Sequence, residues 1–143
     1  MIRCSIALAA AVISSGQAVA APTVSGAWIR ANPVTGRPSA GYLTVTGDAR
    51  PDRLLAVTSP GLRIEMHSMA TATGIMRMAR IDGLDVPVRG KAEFTSGGNH
   101  LMIYGLPAAA RTAPLTLRFK SGAKVTVPAR VRAAADVEDH AGH

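Results

Sequence analysis

Side chains that bind soft metal ions are concentrated in the middle of this sequence. Of the six methionines, the five after the initiator fall between Met66 and Met102, and His67 and His100 lie in the same segment. Thioethers are soft, uncharged donors that suit Cu(I), and neutral imidazole also binds copper. Methionine also fills irregular hydrophobic cores, so a purely structural explanation of the cluster stays open.

The spacing of these residues favours a metal site. A hairpin turn centred at residues 72–73 would place His67 opposite Met78 and Met69 opposite Met76. Side chains alternate across a strand, so these four residues would share one face of the hairpin. Met69 and Met76 are then either secondary donors or packing residues beside a site.

His100 and Met102 lie two residues apart on another apolar run, and so also share a face. Two histidines and two methionines can therefore converge from a hairpin and a neighbouring strand to form a four-coordinate site. Met66 would point to the opposite face of the hairpin, into the core. Because neutral imidazole is required, metal binding should weaken as the pH falls below about 6.5.

The donor types favour Cu(I) over other metals. Zinc prefers thiolate, imidazole and carboxylate, whereas calcium and magnesium prefer oxygen. Cys4 is the only cysteine, and it lies in the basic start of an N-terminal secretory signal. Removal of the signal would leave no thiolate, which excludes a blue-copper electron-transfer site.

The elements that position these residues are predicted to be strands. Short apolar or alternating runs are separated by Gly, Pro, Asp and Ser, which is typical of an antiparallel sandwich or barrel. The predicted strands are 24–29, 42–46, 54–58, 62–66, 75–81, 92–95, 101–104, 115–119 and 124–131. Only 108–111 suggests a helical turn, and Trp28 is expected to anchor the core.

The four residues His67, Met78, His100 and Met102 reproduce the pattern H-x10-M-x21-H-x-M. In this pattern the sequence resembles the periplasmic copper chaperone family PCuAC. The stretches 27–28, 41–43, 74–78, 97–102 and 114–119 also resemble family signatures, so the resemblance covers about 24–131.

The resemblance implies an all-β, cupredoxin-like antiparallel β-sandwich with Greek-key connections that binds one Cu(I) through these four side chains. It further implies delivery of the copper to a partner for assembly of the CuA centre of cytochrome c oxidase, the partner being the CuA subunit, a Sco-type thiol protein, or both. A periplasmic protein that only stores copper or confers tolerance to it is an alternative.

The chain divides into a secretory signal at 1–20, the metal-binding domain at 21–132 and a polar tail at 133–143. The signal predicts a periplasmic protein that is not anchored in the membrane, and we expect a monomer. His140 and His143 make the tail a candidate Cu(II) site, with a merely solvated tail as the alternative. The formal charge of +7 becomes +6 without Arg3, and export argues against nucleic acid as the partner of this basic chain.

No catalytic motif is present. The sequence lacks G-x-S-x-G and H-E-x-x-H, and none of the nine acidic residues forms a recognisable acid/base pair near His67 or His100. We therefore predict no enzyme activity. The rival hypotheses are a β-sandwich protein-binding module whose methionines are only core, and a copper oxidase-like redox enzyme, which the missing cysteine disfavours.

Overall fold

The computed structural model describes residues 21–133, which form ten β-strands and no α-helix. The predicted signal at 1–20 and the tail from residue 134, with His140 and His143, lie outside the described residues. The strands are β1 (Thr23–Ala31), β2 (Ser39–Thr46), β3 (Asp52–Thr58), β4 (Arg63–Ala72), β5 (Ile75–Arg80), β6 (Leu84–Val86), β7 (Lys91–Phe94), β8 (His100–Tyr104), β9 (Thr112–Phe119) and β10 (Lys124–Ala133).

The strands follow the order β5-β4-β8-β2-β1-β10-β9-β3-β6, and β7 pairs with the second half of β2. Neighbours are antiparallel except β1 and β10, which run parallel. Contacts between β3 and β4, and between β6 and β7, link strands that are distant in this order. The sheet therefore curls over itself into a β-sandwich, which confirms the predicted all-β class.

Alternating side chains build the core between the layers. In β9 the buried residues Ala113, Leu115, Leu117 and Phe119 alternate with more exposed ones. In β8, Leu101 and Ile103 are fully buried, whereas Met102 between them is only half-buried. The apolar side of each strand thus fixes which of its polar or soft side chains face outward.

A glycine allows β8 to pack closely against β2. A Cβ atom at Gly41 would lie 2.9 Å from the Ile103 side chain and 3.1 Å from Leu101 Cβ. Leu101 is also the register partner of Gly41. This close approach fixes the distance between β8 and β2. It thereby positions His100 and Met102, which lie on β8.

Several predictions about individual elements need correction. The strand β6 is absent from the predicted set, and β4 continues six residues beyond Met66. The prediction that Trp28 anchors the core is wrong, because Trp28 is only half-buried. Its ring centroid lies 4.8 Å from that of Tyr42 and 5.1 Å from the Arg132 guanidinium. Met66 is confirmed in the core, at 6% exposure. Where the sequence suggested a helical turn at 108–111, the structure has a turn at residues 108–109.

Across residues 21–133 no helix is long and apolar enough to span a bilayer.

Candidate metal centre

The hairpin of β4 and β5 carries the methionines, and its turn fixes their register. Thr73 and Gly74 have φ values of 53° and 77°, as a two-residue type I′ turn requires. Met69 therefore pairs with Met78, and His67 with Arg80. The predicted pairing of His67 with Met78 is wrong by two residues, although a shift of two keeps every side chain on its predicted face.

The neighbouring strand β8 brings the two histidines together. His67 and His100 are register partners in the antiparallel pair β4–β8. Their rings stack with centroids 5.9 Å apart and an angle of 22° between the planes. Met102 is two residues further along β8, and its partner on β4 is Glu65.

A surface pocket of about 300 Å³ lies beside this pair of strands. Three of the predicted ligands, Met78, His100 and Met102, line it together with Met69. The fourth, His67, is not part of the lining and lies against the His100 ring. The sequence left Met69 as either a secondary donor or a packing residue. A Thr-Gly pair recognised as the hairpin turn would have placed it opposite Met78.

The methionines differ in exposure. Met78 is 51% exposed and Met76 59% exposed, because every residue of the edge strand β5 is open to solvent. Met69 and Met102 are half-buried. A metal in the pocket would therefore be bounded on one side by the buried His100 and on the other by a thioether in contact with water.

The tautomer of His100 is set by its hydrogen bond to the backbone. His100 Nδ1 lies 3.0 Å from the carbonyl oxygen of Gly98. A carbonyl only accepts hydrogen bonds, so Nδ1 carries the proton and donates it. The unprotonated nitrogen of neutral His100 is then Nε2, which has the lone pair that a metal needs.

The tautomer of His67 is set by a carboxylate. His67 Nε2 lies 3.0 Å from Glu65 Oε2, and both side chains are only about 15% exposed, at 14% and 15%. An ionised carboxylate only accepts, so Nε2 is the donor. His67 Nδ1 is buried and has no hydrogen-bond partner. Such an orphaned lone pair is rare in a folded protein and suits a ligand that binds there.

Glu65 corrects the prediction that no acidic residue pairs with these histidines. Glu65 and His67 are two residues apart on one strand and share a face, so this spacing was the available signal. The pKa of Glu65 is lowered, chiefly by the His67 hydrogen bond and further by Arg63 and Arg80, against desolvation, which raises it. The carboxylate is thus ionised at neutral pH.

The charged side chain in the pocket lining is a cation, Arg30. Arg30 is part of the lining and lies 5.9 Å from the Tyr42 ring centroid, and Tyr42 also lines the pocket. Within the part of the chain that the structure describes, no three His, Cys, Asp or Glu side chains come together in a metal-binding arrangement. The soft donors in the pocket lining are the thioethers of Met69, Met78 and Met102 and the imidazole of His100, a set that disfavours zinc, calcium and magnesium.

A family model described as "Putative lipoprotein LpqE-like" matches residues 22–131. The chain belongs to the LpqE-like family. A curated relative, "Putative lipoprotein Lxx21020" of Leifsonia xyli subsp. xyli, is 27% identical over 133 residues, which cover 90% of this chain and 80% of the relative.

Solved structures with the same fold are PCuAC domains. The copper-bound PCuAC domain from PmoF2 is 25% identical with a TM-score of 0.64, over 82% of this LpqE-like chain and 97% of that domain. The solution structure of CuI-DR1885 from Deinococcus radiodurans is 23% identical with a TM-score of 0.54, over 83% of this chain and 81% of that one. The predicted resemblance to PCuAC and the cupredoxin-like sandwich are confirmed.

Proposed function

We propose that this protein binds one Cu(I) ion and passes it to a partner, with His67, Met78, His100 and Met102 as the ligands. The observation that carries the proposal is the arrangement of donors on one face of the sheet. Met78, His100 and Met102 meet at one pocket, and His67 beside them has a buried ring nitrogen without a partner. The copper-bound PmoF2 domain, which has the same fold, supports copper as the cargo.

The donor set suits storage and release of Cu(I) rather than catalysis. Thioether and neutral imidazole carry no charge, so the bound ion keeps its single positive charge and gains no ion-pair stabilisation from its ligands. Met78 is half exposed at the pocket mouth, where an incoming thiolate can displace it first. Ligand exchange can then proceed through His100 and Met102 without a change in the fold.

Export is part of the proposal. Relatives bear the name lipoprotein, and the predicted signal at 1–20 agrees with transport to the cell envelope. We propose that the protein is periplasmic and monomeric. We also propose that Cys4 does not carry a lipid anchor, because it precedes the apolar core of the signal. The proposed acceptor is the CuA subunit of cytochrome c oxidase or a Sco-type thiol protein, with storage or tolerance as the alternative.

A Cu(I) competition titration tests the site. The exported chain and the variant His100→Ala/Met102→Ala are titrated under reducing conditions against a chromophoric Cu(I) chelator. We expect one tight equivalent in the parent and none in the double variant. Met76→Leu is the matched control, because Met76 is exposed on the same hairpin but is not part of the pocket lining.

The outcomes separate the candidate functions. If the parent does not compete for Cu(I), the methionines are packing residues and a protein-binding module becomes the better hypothesis. If copper binds but never moves to a dithiol peptide, storage or tolerance replaces delivery. A variant truncated after Ala133, titrated with Cu(II), tests whether the tail with His140 and His143 holds a second ion.

A further inference from the structure

Glu65 has no role in the four-residue ligand set, although it lies next to two of the proposed ligands. Its register partner on β8 is the ligand Met102, and its neighbour on the same face of β4 is the ligand His67. The carboxylate is only 15% exposed. A charged group that gives up most of its hydration needs strong compensating interactions.

The two carboxylate oxygens of Glu65 have different partners. Oε2 accepts the hydrogen bond from His67 Nε2 at 3.0 Å. Oε1 accepts one from Arg63 Nη1 at 3.0 Å and faces Arg80 Nη1 at 3.8 Å. Both guanidinium groups are about two-thirds exposed, at 66% and 68%, so they orient the carboxylate more than they stabilise it. One oxygen is thereby held in place for His67.

This arrangement selects one of the two ring nitrogens of His67. With Nε2 protonated and bonded to the carboxylate, the free lone pair is on Nδ1, which is buried and has no hydrogen-bond partner. At His100 the opposite nitrogen is free, because Nδ1 donates to the Gly98 carbonyl. A partner on one ring nitrogen commonly fixes which nitrogen binds a metal and makes it more basic.

We propose that Glu65 is a positioning residue: it holds His67 in the Nε2–H tautomer, so that Cu(I) binds His67 through Nδ1 and His100 through Nε2. The inference rests on the proposed copper function. It goes beyond that function in two ways. It assigns the nitrogen of each histidine that binds the metal, and it names Glu65, which is outside the ligand set, as a residue that sets the Cu(I) affinity.

The tautomers can be measured without metal. Long-range ¹H–¹⁵N spectra of the apo protein distinguish protonated from unprotonated ring nitrogens, and we expect Nε2–H for His67 and Nδ1–H for His100. In Glu65→Leu, His67 should become a mixture of tautomers, while His100 is unchanged. In Glu65→Gln the amide oxygen can still accept, so the Nε2–H tautomer should persist.

Cu(I) is diamagnetic, so the same spectra of the loaded protein report the coordinating nitrogens. We expect the ¹⁵N resonances of His67 Nδ1 and His100 Nε2 to move on binding. In chelator competition, Glu65→Leu should lose about 10- to 100-fold in Cu(I) affinity and Glu65→Gln clearly less. Glu93→Leu is the control, because Glu93 is exposed on β7 and not part of the pocket, and it should match the parent.

The results separate this inference from the proposed function. If the parent binds Cu(I) but the His67 Nε2 resonance moves, or if Glu65→Leu keeps both the tautomer and the affinity, Glu65 has no positioning role. Equal losses in Glu65→Gln and Glu65→Leu would mean that its charge acts instead, which also overturns the inference. If the parent binds no Cu(I), the proposed function and the donor assignment both fail.

Discussion

The strand β8 offers a sharp test, because adjacent residues on it should affect different properties. Leu101 is completely buried, whereas the two flanking residues, His100 and Met102, face the pocket. We predict that Leu101→Ala costs folding stability and keeps copper binding, while Met102→Ala loses copper binding at little cost to stability.

The magnitudes follow from burial. A fully buried Leu→Ala change costs about 3 kcal/mol, within a range of about 2–5 kcal/mol. A domain of roughly 110 residues unfolds with an entropy of about 2.1 cal/mol/K per residue, so each kcal/mol lowers Tm by about 4 °C and Leu101→Ala by about 13 °C. Met102 is half-buried, so its truncation should cost only about 1 kcal/mol, or about 4 °C.

Thermal unfolding followed by circular dichroism, with and without one equivalent of Cu(I) under reducing conditions, measures both properties together. A ligand that binds only the folded state raises its Tm. Copper should raise the Tm of the parent, of Leu101→Ala and of the core control Leu117→Ala, but not that of Met102→Ala. Loss of the copper effect in Leu101→Ala but not in Leu117→Ala, or severe destabilisation by Met102→Ala, would refute the orientation of β8.

Three further outcomes are expected. Met69→Leu should weaken Cu(I) binding in chelator competition by several-fold while Met76→Leu has no effect, because Met69 lines the pocket and Met76 does not; equal effects would contradict this. Gly41→Ala should cost about 1–3 kcal/mol in urea unfolding, since its Cβ would overlap the β8 side chains; an unchanged midpoint would be inconsistent with the close approach. Burial raises the pKa of Asp52, but hydrogen bonds from the Ser121 hydroxyl and from the backbone N–H groups of Arg53 and Ser121 outweigh burial and lower the pKa. The folding stability that the Asp52 carboxylate contributes is therefore present above its ordinary pKa of 3.8 and is lost as the pH falls below it. Asp52→Ala should thus lose about 1–2 kcal/mol at pH 7 and approach the parent in acid, and a constant difference at all pH values would argue against it.

Much of the fold was predictable because strand alternation is local. The buried residues of β9, Leu115, Leu117 and Phe119, alternate in the sequence as they do in the structure. The short strand β6 was missed because three residues are too few to show a period. The half-burial of Trp28 was missed because the sequence pattern of a strand shows which face an aromatic side chain is on, but not what covers that face. Trp28 lies against the ring of Tyr42 and is not covered by a second layer of the sandwich.

The sequence by itself determined the chemistry of the candidate site and the face on which it lies. Residue types select soft, neutral donors, and a period of two residues places His67 with Met69 and His100 with Met102 whatever the exact turn. The outward face of β8 follows from its buried neighbours in the same way.

Only the tertiary structure decided which residues are neighbours across strands. The turn at Thr73 and Gly74 moved the register of the hairpin by two residues and brought Met69, rather than His67, opposite Met78. The pairing of β4 with β8 stacked the two histidines, and the Glu65 carboxylate is bonded to His67 Nε2 while Nδ1 has no hydrogen-bond partner. The β4–β8 pairing joins residues 33 to 41 positions apart, from His67 with His100 to Arg63 with Tyr104, so it depends on the closure of the sheet and not on a local pattern.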